Sequence, residues 1–452
     1  MTKNLQRFKA HLVGAFRARA KRPLDRFVAE RSVRIAPVRE LAFPFQQFEV
    51  DFSNPLYGIS HRETAGIYSL EDLFIHRDSG LALLAPDETF WPIGVAESGL
   101  EDYQLLALQY GKKYRPLVGF NRQQAADFVL NRPAFLFNVF KRKTNYYHFI
   151  VDNALRLVTF LEQYDAPVTV LASPGLSGYM REFFELLGYV YGCSLTDIPT
   201  SASHLRVRSP LLFMDDVVRR FDNSGFNFDW VRARLANEPA ANRENLSLDH
   251  LKPIRQGYLV PKFWRLDKAG RHRIRSWWLE KAGRNRIRNN YLPILPSRTA
   301  VDCFTRFIER LEEAGHLKAQ SSKGVFISRY KDSTRGRNVA NEEALLAAVP
   351  EVIPTDFGNL PLVEQIAITR GTKVLVGMHG AGLTNALFMR EGAGVIEIVP
   401  AGQSLPASNL FENLCALRRL KYRRIFASPL DAARQAKVDV GEVTAAIEEV
   451  VR

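Results

Sequence analysis

The chain has 452 residues, an ordinary globular composition and a formal net charge of +14. Its length predicts two or three domains, and its 46% of apolar residues excludes a mostly disordered protein. The three widely separated cysteines fit neither a disulfide framework nor a Cys-x-x-Cys zinc site and favour a reducing compartment, and no apolar run is long enough to span a bilayer.

The positive charge is concentrated in two segments. Residues 1–26 hold eight Lys/Arg and one acid, and residues 252–288 hold twelve Lys/Arg and two acids, so the two segments contribute +7 and +10. The remaining residues therefore sum to −3. A nucleic-acid-binding protein more often spreads basic charge over a whole domain face, so we expect no nucleic-acid partner.

The first predicted element is a basic amphipathic helix over residues 3–20, where apolar residues recur at helical spacing. Such a helix either lies on an anionic membrane surface or packs on the protein with its Lys and Arg in solvent. The segment has no continuous apolar core followed by a small-residue cleavage site, as a secretory signal would have. We therefore expect a cytoplasmic protein, with the inner face of the plasma membrane as an alternative location.

From about residue 130, strands and helices alternate. The first half predicts strands at 134–140, 168–172 and 205–214, with helices at 146–164 and at 176–187, the latter closed by Gly188. The second half predicts strands at 324–328, 351–354, 373–377 and 395–399, with helices at 341–348, 360–370, 384–389 and 438–452. This alternation predicts an α/β fold with two halves containing parallel strands, and a ligand between them at the carboxyl ends of the strands.

The segment from Val374 to Asn385 is a buried strand that leads through a glycine-rich turn into a helix. Backbone N–H groups and the dipole at such a helix start favour an anion, usually a phosphate. Gly380 and Gly382 allow a close approach of backbone and ligand, and Glu397, on the next strand, is a carboxylate suited to ribose hydroxyls. The alternative is a tight connection without a ligand. Asn385 stands where the dinucleotide-binding fingerprint would have its third glycine.

Two further segments carry candidate functional side chains. The loop after the strand at 324–328 contains Arg329, Arg335 and Arg337, whose planar guanidinium groups suit a diphosphate, although a solvated basic loop is the alternative. On the helix at 146–164, His148, Asp152 and Arg156 are four residues apart and form a polar strip with Asn145. A carboxylate one turn from a histidine keeps it oriented and basic, as a general base requires, although a structural surface pair is the alternative.

The sequence has no Asp-x-Asp, no His-x-x-x-His and no Gly-x-x-x-x-Gly-Lys-Ser/Thr motif. These absences argue against a carboxylate clamp for a metal-bound sugar nucleotide, a zinc hydrolase and a P-loop enzyme. A diphosphate leaving group would then be neutralised by arginines and a helix dipole, without a metal or other cofactor.

Together the segments resemble glycosyltransferase family 61. The resemblance covers roughly residues 140–400 and rests on short motifs in the family's order and spacing. These motifs are Tyr147-His148 with Asp152 and Arg156, Ile327-Ser328-Arg329, Arg337 with Asn341-Glu342, Glu364-Gln365, the run from Gly377 to Asn385, and Glu397 with Pro400. It implies a GT-B architecture, in which two Rossmann-like domains face a cleft. It also implies inverting transfer from a nucleotide sugar, with UDP expected, to a glycan or lipid-linked glycan, here as a bacterial enzyme of capsule or similar polysaccharide biosynthesis.

On this resemblance the domains are a basic segment at 1–30, an acceptor-binding domain at 31–250, an Arg/Trp-rich linker at 251–300, a nucleotide-sugar-binding domain at 301–435 and a final helix at 436–452. The expected catalytic residues are His148 and Asp152, either of which is a candidate base, and Asn145 and Arg156 are expected at the acceptor. The expected donor-binding residues are Ser328, Arg329, Arg335, Arg337, Asn341, Glu364, His379, Gly380, Ala381, Gly382, Asn385 and Glu397. The alternatives are a Rossmann-type oxidoreductase, a non-catalytic nucleotide-binding module and a membrane-associated scaffold.

Overall fold

The computed structural model of the chain describes residues 45–54, 56, 62–70, 72–76, 81–84, 89–92, 126–128, 134–136, 145–172, 176–197, 204–214, 218–220, 246–247, 294–328 and 337–452. The amphipathic helix predicted at 3–20, most of the Arg/Trp-rich segment, and Arg329 and Arg335 lie outside the described residues. Among the described helices, none has both the length and the apolar composition needed to cross a bilayer.

In its described residues, the N-terminal half contains two mixed sheets and two helices. Its strands are β1 (Gln46–Asp51), β2 (Arg62–Ser69), β3 (Asp72–His76), β4 (Leu81–Leu84), β5 (Thr89–Pro92), β6 (Ala126–Phe128), β7 (Ala134–Leu136), β8 (Thr169–Ala172), β9 (Ser194–Asp197), β10 (His204–Arg208), β11 (Pro210–Met214), β12 (Val218–Arg220) and β13 (Leu246–Ser247). Helix α1 covers residues 146–163 and has a π-helical turn at Ile150–Ala154, and α2 covers Gly178–Tyr191.

The larger N-terminal sheet has the order β1-β2-β11-β7-β8-β9. Strands β11, β7, β8 and β9 are parallel to one another, as the alternating pattern predicted, whereas β1 and β2 add an antiparallel edge. The second sheet has the order β5-β4-β3-β10-β6. The segment 205–214, predicted to hold one further strand, contains parts of two, because Ser209 adopts a positive φ of 49° and separates β10 from β11, which belong to different sheets.

In its described residues, the C-terminal half alternates strands and helices over most of its length. Its strands are β14 (Ile294–Pro296), β15 (Ser322–Ile327), β16 (Asn338–Val339), β17 (Val352–Thr355), β18 (Thr372–Met378), β19 (Gly394–Pro400), β20 (Gln403–Ser404), β21 (Lys421–Ala427) and β22 (Gln435–Ala436). Its helices are α3 (Arg298–Glu313), α4 (Glu342–Ala348), α5 (Leu362–Gly371), α6 (Leu405–Leu417) and α7 (Val440–Val451), with 3₁₀ helices at Phe357–Asn359 and Ala381–Phe388.

The central C-terminal sheet has the order β17-β15-β18-β19-β21 and is parallel throughout. Apolar residues cover both of its faces, which is why its strands read as nearly continuous apolar runs. On one face a buried cluster includes residues of α4 and α7, and on the other the cluster extends through α3 into α1 and α2. The parallel, helix-covered sheet that the sequence predicted for this half is therefore confirmed.

Two predicted helices differ from the structure. Helix α2 continues past Gly188 and ends at Gly192, which adopts the left-handed conformation with a φ of 63°. The segment predicted as a helix at 384–389 is a longer 3₁₀ helix, Ala381–Phe388, which begins directly after the glycine-rich turn. A 3₁₀ helix of this length is uncommon.

Candidate active site

The start of α1 presents a histidine–aspartate pair. The Asn145 side chain accepts a hydrogen bond from the His148 backbone N–H and caps the helix. The His148 Nδ1 atom lies 2.8 Å from Asp152 Oδ2. A carboxylate only accepts hydrogen bonds, so Nδ1 carries the proton that donates to Asp152, and Nε2 is left to take a proton from a substrate.

The surroundings of this pair combine solvent access with support from the backbone. The side chain of His148 is 42% exposed, whereas that of Asp152 is 26% exposed. The Asn153 amide donates to the His148 carbonyl at 2.9 Å, and Asp152 lies within the π-helical turn. Such turns often occur at functional sites because they change the direction of side chains. Arg156 follows one turn later and is half-buried.

The glycine-rich turn lies at the carboxyl end of β18. His379 follows the strand directly, Gly380 to Gly382 are half-buried, and the Leu383 N–H donates to the Gly380 carbonyl at 3.0 Å. Asn385 is fully buried inside the 3₁₀ helix. The turn therefore occupies the edge of a parallel sheet where ligands of such folds bind.

A hydrogen bond joins the start of α1 to this turn. The Tyr146 hydroxyl donates to Asn385 Oδ1 at 2.6 Å. Burial raises the pKa of Tyr146 well above its ordinary value, so the hydroxyl keeps its proton for this bond. The two segments that the sequence singled out separately are therefore in contact, although more than two hundred residues separate them.

A chain of aromatic contacts connects the two histidines. The Tyr147 ring packs edge-on against Phe411 at 5.9 Å, and Phe411 packs edge-on against His379 at 5.5 Å. Tyr147 also contacts its neighbour His148 at 5.5 Å. Phe411 belongs to α6, so three elements from both halves meet around these rings.

His379 is held by Glu397, which no sequence argument had linked to it. Its Nδ1 atom makes a short contact with Glu397 Oε1, and its carbonyl accepts a hydrogen bond from Arg337 Nη1 at 3.2 Å. The other carboxylate oxygen, Oε2, accepts a 2.6 Å hydrogen bond from the Tyr422 hydroxyl. Burial raises the pKa of Tyr422 well above its ordinary value, and the charge on Glu397 raises it further.

Protein groups contact both oxygens of Glu397, and the residue is fully buried. Its predicted contact with the ribose stays a prediction. Glu364, the other candidate for the ribose, is exposed on the first turn of α5, and its role stays a prediction.

The arginine-containing loop is described only at its two ends. Ser328 donates its hydroxyl proton to Glu342 Oε1 at 2.6 Å, and Arg337 contacts the carbonyl of His379 as described above. Asn341 uses its amide nitrogen and oxygen to bond the backbone carbonyl and N–H of Val438, both at 3.0 Å. That contact gives Asn341 a structural role, and its contact with a donor stays a prediction.

Sequence reasoning missed three residues of this site. Tyr146 lies two residues before His148, and a tyrosine so close to the predicted pair was only a weak signal for the bond to Asn385. Phe411 and Tyr422 lie beyond the segment that carried the resemblance, and a tyrosine on a strand has no spacing pattern that links it to a glutamate on the neighbouring strand. Within the part of the chain that the structure describes, no cluster of three His, Cys, Asp or Glu residues is arranged to hold a metal ion.

Comparison with known proteins identifies a family. The chain is similar to the EGF domain-specific O-linked N-acetylglucosamine transferase of Drosophila melanogaster, with 35% identity over 126 residues that cover 26% of this chain and 23% of the relative. The Bos taurus protein of that name is 24% identical over 139 residues, covering 29% of this chain and 26% of the relative. The xylan glycosyltransferase MUCI21 of Arabidopsis thaliana is 28% identical over 145 residues, covering 29% and 28%.

These alignments span about a quarter of each curated relative. The family model, described as Glycosyltransferase 61, matches residues 146–396, which is more than half of this chain. The match begins at the start of α1 and reaches into β19, so it encloses the His148–Asp152 pair and the glycine-rich turn. The chain belongs to the glycosyltransferase 61 family.

Proposed function

We propose that this protein transfers a sugar from a nucleotide donor, UDP-linked, to a glycan or lipid-linked glycan acceptor, with inversion at the anomeric carbon. Family membership supports transfer between a nucleotide sugar and a glycan. Relatives whose names specify an O-linked N-acetylglucosamine transferase and a xylan glycosyltransferase agree with that class of reaction. A GT-B arrangement, a role in polysaccharide biosynthesis and a reaction without a metal are parts of the same proposal.

The carrying observation is the bond between Tyr146 and Asn385. It holds the exposed His148 and its partner Asp152 next to the glycine-rich turn, which follows β18 and is suited to an anion. In a single displacement the acceptor oxygen attacks the anomeric carbon while the bond from that carbon to the diphosphate breaks. The reaction therefore requires a base and a phosphate-binding turn that lie side by side.

In the proposed step His148 Nε2 removes the proton from the acceptor hydroxyl. The acceptor oxygen forms its bond to the anomeric carbon while the bond from that carbon to the diphosphate oxygen breaks, and UDP leaves with the bonding electron pair. Asp152 orients the imidazole and stabilises its charge once it is protonated. Arg337, His379 and the backbone N–H groups of the turn stabilise the charge that develops on the diphosphate. Arg329 and Arg335 are proposed to act with them.

The test is the replacement His148→Ala. Loss of a positioned base costs about 100- to 10,000-fold in rate, so kcat falls by that factor, while the dissociation constant of UDP stays the same because the base does not contact the nucleotide. Donor turnover is first found with a panel of nucleotide sugars, and UDP binding is measured by calorimetry. His316→Ala is the matched control, because His316 stacks on Tyr189 at 4.1 Å and does not belong to this site.

Two outcomes separate the parts of this proposal. Sugar transfer that survives intact in His148→Ala refutes the assignment of His148 as base, and a larger loss in Asp152→Asn than in His148→Ala reverses the two roles. Thermal stabilisation by NAD and not by UDP contradicts the glycosyltransferase proposal itself and favours a dinucleotide-binding protein, because only a bound ligand stabilises the fold.

We further propose that the basic segment at residues 1–26 holds the enzyme at an anionic membrane surface in the cytoplasm. Its net charge of +7 supports this, since each Lys or Arg near such a surface contributes about 1 kcal/mol. Flotation with anionic liposomes tests it, and equal flotation after deletion of residues 1–26 contradicts it.

A further inference from the structure

Three neighbouring strands bring His379, Glu397 and Tyr422 together. His379 follows β18, Glu397 lies on β19, and Tyr422 lies on β21, in the sheet order β18-β19-β21. Tyr422 is the register partner of Val395, two residues before Glu397, so the two side chains share a face of the sheet. The contact between Glu397 and Tyr422 is therefore produced by the sheet itself, and His379 joins it from the first residue after β18.

Glu397 is a buried charge with specific partners. It is 0% exposed, its Oε1 atom contacts His379 Nδ1, and its Oε2 atom accepts the Tyr422 hydroxyl proton at 2.6 Å. A buried carboxylate is costly unless it is paired and hydrogen-bonded, so this arrangement fixes all three groups. A second buried acid, Glu412, pairs with Arg424 at 2.8 Å.

The two oxygen contacts determine which nitrogen of His379 carries a proton. Tyr422 can only donate to a carboxylate, and His379 Nδ1 must also donate, because an ionised carboxylate has no proton to give. Nε2 is then the ring nitrogen that is left for a ligand. The edge-on contact with Phe411 and the bond from Arg337 to the carbonyl hold the ring and backbone of His379 in place.

We propose that Glu397 and Tyr422 are positioning residues that hold the His379 ring at the diphosphate of the nucleotide-sugar donor. This inference rests on the proposed function, because it takes the leaving diphosphate as the ligand of the turn. Tyr422 restrains the carboxylate, the carboxylate orients the imidazole, and the imidazole contacts the diphosphate as the sugar leaves. Neither Glu397 nor Tyr422 touches the substrate.

The test compares Tyr422→Phe and Glu397→Gln with wild type. Loss of one hydrogen bond from Tyr422 costs about 2- to 10-fold, and loss of the carboxylate of Glu397 costs about 10- to 100-fold, so kcat falls by these factors in the two variants. Because both act on the diphosphate as its bond to the sugar breaks, the dissociation constant of the intact nucleotide sugar changes less than kcat. Tyr191→Phe is the matched control, since the Tyr191 hydroxyl also donates to a buried carboxylate, Glu162, at 2.6 Å.

A second measurement does not depend on turnover. Long-range ¹H–¹⁵N correlation spectra of the ligand-free protein, labelled at histidine and assigned with His379→Gln, report which ring nitrogen of His379 is protonated. We expect a proton on Nδ1 in wild type and in Tyr191→Phe, and a shifted Nδ1 signal in Tyr422→Phe and Glu397→Gln. Thermal melts establish that each variant is folded at the assay temperature.

The outcomes are distinct. A wild-type His379 without a proton on Nδ1, or unchanged kcat and an unchanged His379 signal in both variants, overturns the inference. An equal loss of kcat in Tyr191→Phe also overturns it, because the effect would then be a general loss of stability. If wild type neither binds UDP nor transfers a sugar, the proposed function fails, while the spectra still decide whether Glu397 and Tyr422 position His379.

Discussion

At the scale of single residues, burial decides how the acids of this protein behave. Glu342 is 8% exposed and accepts the Ser328 hydroxyl proton at 2.6 Å. Burial raises the pKa of Glu342, while the Ser328 bond opposes that shift. Because its native pKa is above its unfolded value, the native state binds the proton more tightly, and the resulting stability is present below the unfolded pKa and is lost as the pH rises through the native pKa.

Replacing Glu342 with Gln should therefore change the pH dependence of stability. The amide oxygen of Gln can still accept the Ser328 bond but carries no charge, so the free energy of unfolding of Glu342→Gln relative to wild type should rise as the pH is raised through the shifted pKa. Urea unfolding below and well above the ordinary pKa of Glu measures it. Glu343→Gln, on the exposed side of the same turn, controls for loss of one negative charge, and a relative stability that falls with rising pH would contradict the argument.

At the scale of elements, α2 illustrates why a helix end was predicted wrongly. The sequence pattern predicted an end at Gly188, and a second glycine, Gly192, follows four residues later. Tertiary contacts select the second, because Tyr191 stacks on Phe307 of α3 at 5.9 Å and donates to Glu162. These contacts extend the helix by a further turn, and Gly192 then takes the left-handed conformation that ends it.

Two alanine substitutions on α2 should have opposite effects. A Cβ at Gly192 or at Gly178 meets nothing within 4 Å, so neither change is decided by a clash. Gly192→Ala should lower the free energy of unfolding by about 1–2 kcal/mol, because Gly192 has a φ of +63°. Gly178→Ala, inside the first turn, should raise it by up to about 1 kcal/mol. Chemical denaturation measures both, and equal effects of the two substitutions would contradict a left-handed cap at Gly192.

The central C-terminal sheet was predictable because its strands are buried on both faces and read as apolar runs between glycines. Strand β18, for example, differs from its prediction by one residue at each end. The 3₁₀ helix was not predictable, since Leu383, Ala386, Leu387 and Phe388 are all buried, and a segment that is apolar on all sides carries no period. The same distinction applies to the site. The position of His379 was predictable, because it follows the end of a predicted strand. The hydrogen bonds of Tyr146 and Tyr422 were not predictable, because they join residues that are neighbours only in the folded chain.

At the scale of the whole molecule, α3 joins the two halves into one core. The Phe304 ring stacks on Phe183 of α2 at 6.2 Å and contacts Phe388 of the 3₁₀ helix at 5.7 Å. At its exposed edge Arg306 and Arg310 pair with Glu162 of α1 at 3.1 Å and 2.9 Å. The apolar cluster around these rings is continuous from the N-terminal helices to the C-terminal sheet. A shared core of this kind favours cooperative unfolding, in which neither half is stable when the other is lost.

Ile396→Val tests this cooperativity from a position that touches one half only. Ile396 is fully buried in the cluster on the other face of the C-terminal sheet, which contains only C-terminal residues. Removing one methylene group there costs about 0.5–1.5 kcal/mol. If the halves unfold together, hydrogen exchange should accelerate by the same factor for the slowest amides of β8 and of β18, because both exchange through global unfolding. Acceleration confined to β18 would mean that the halves unfold independently. The contacts of α3 would then stabilise the protein too little to couple the unfolding of the His148 site to that of the turn after β18.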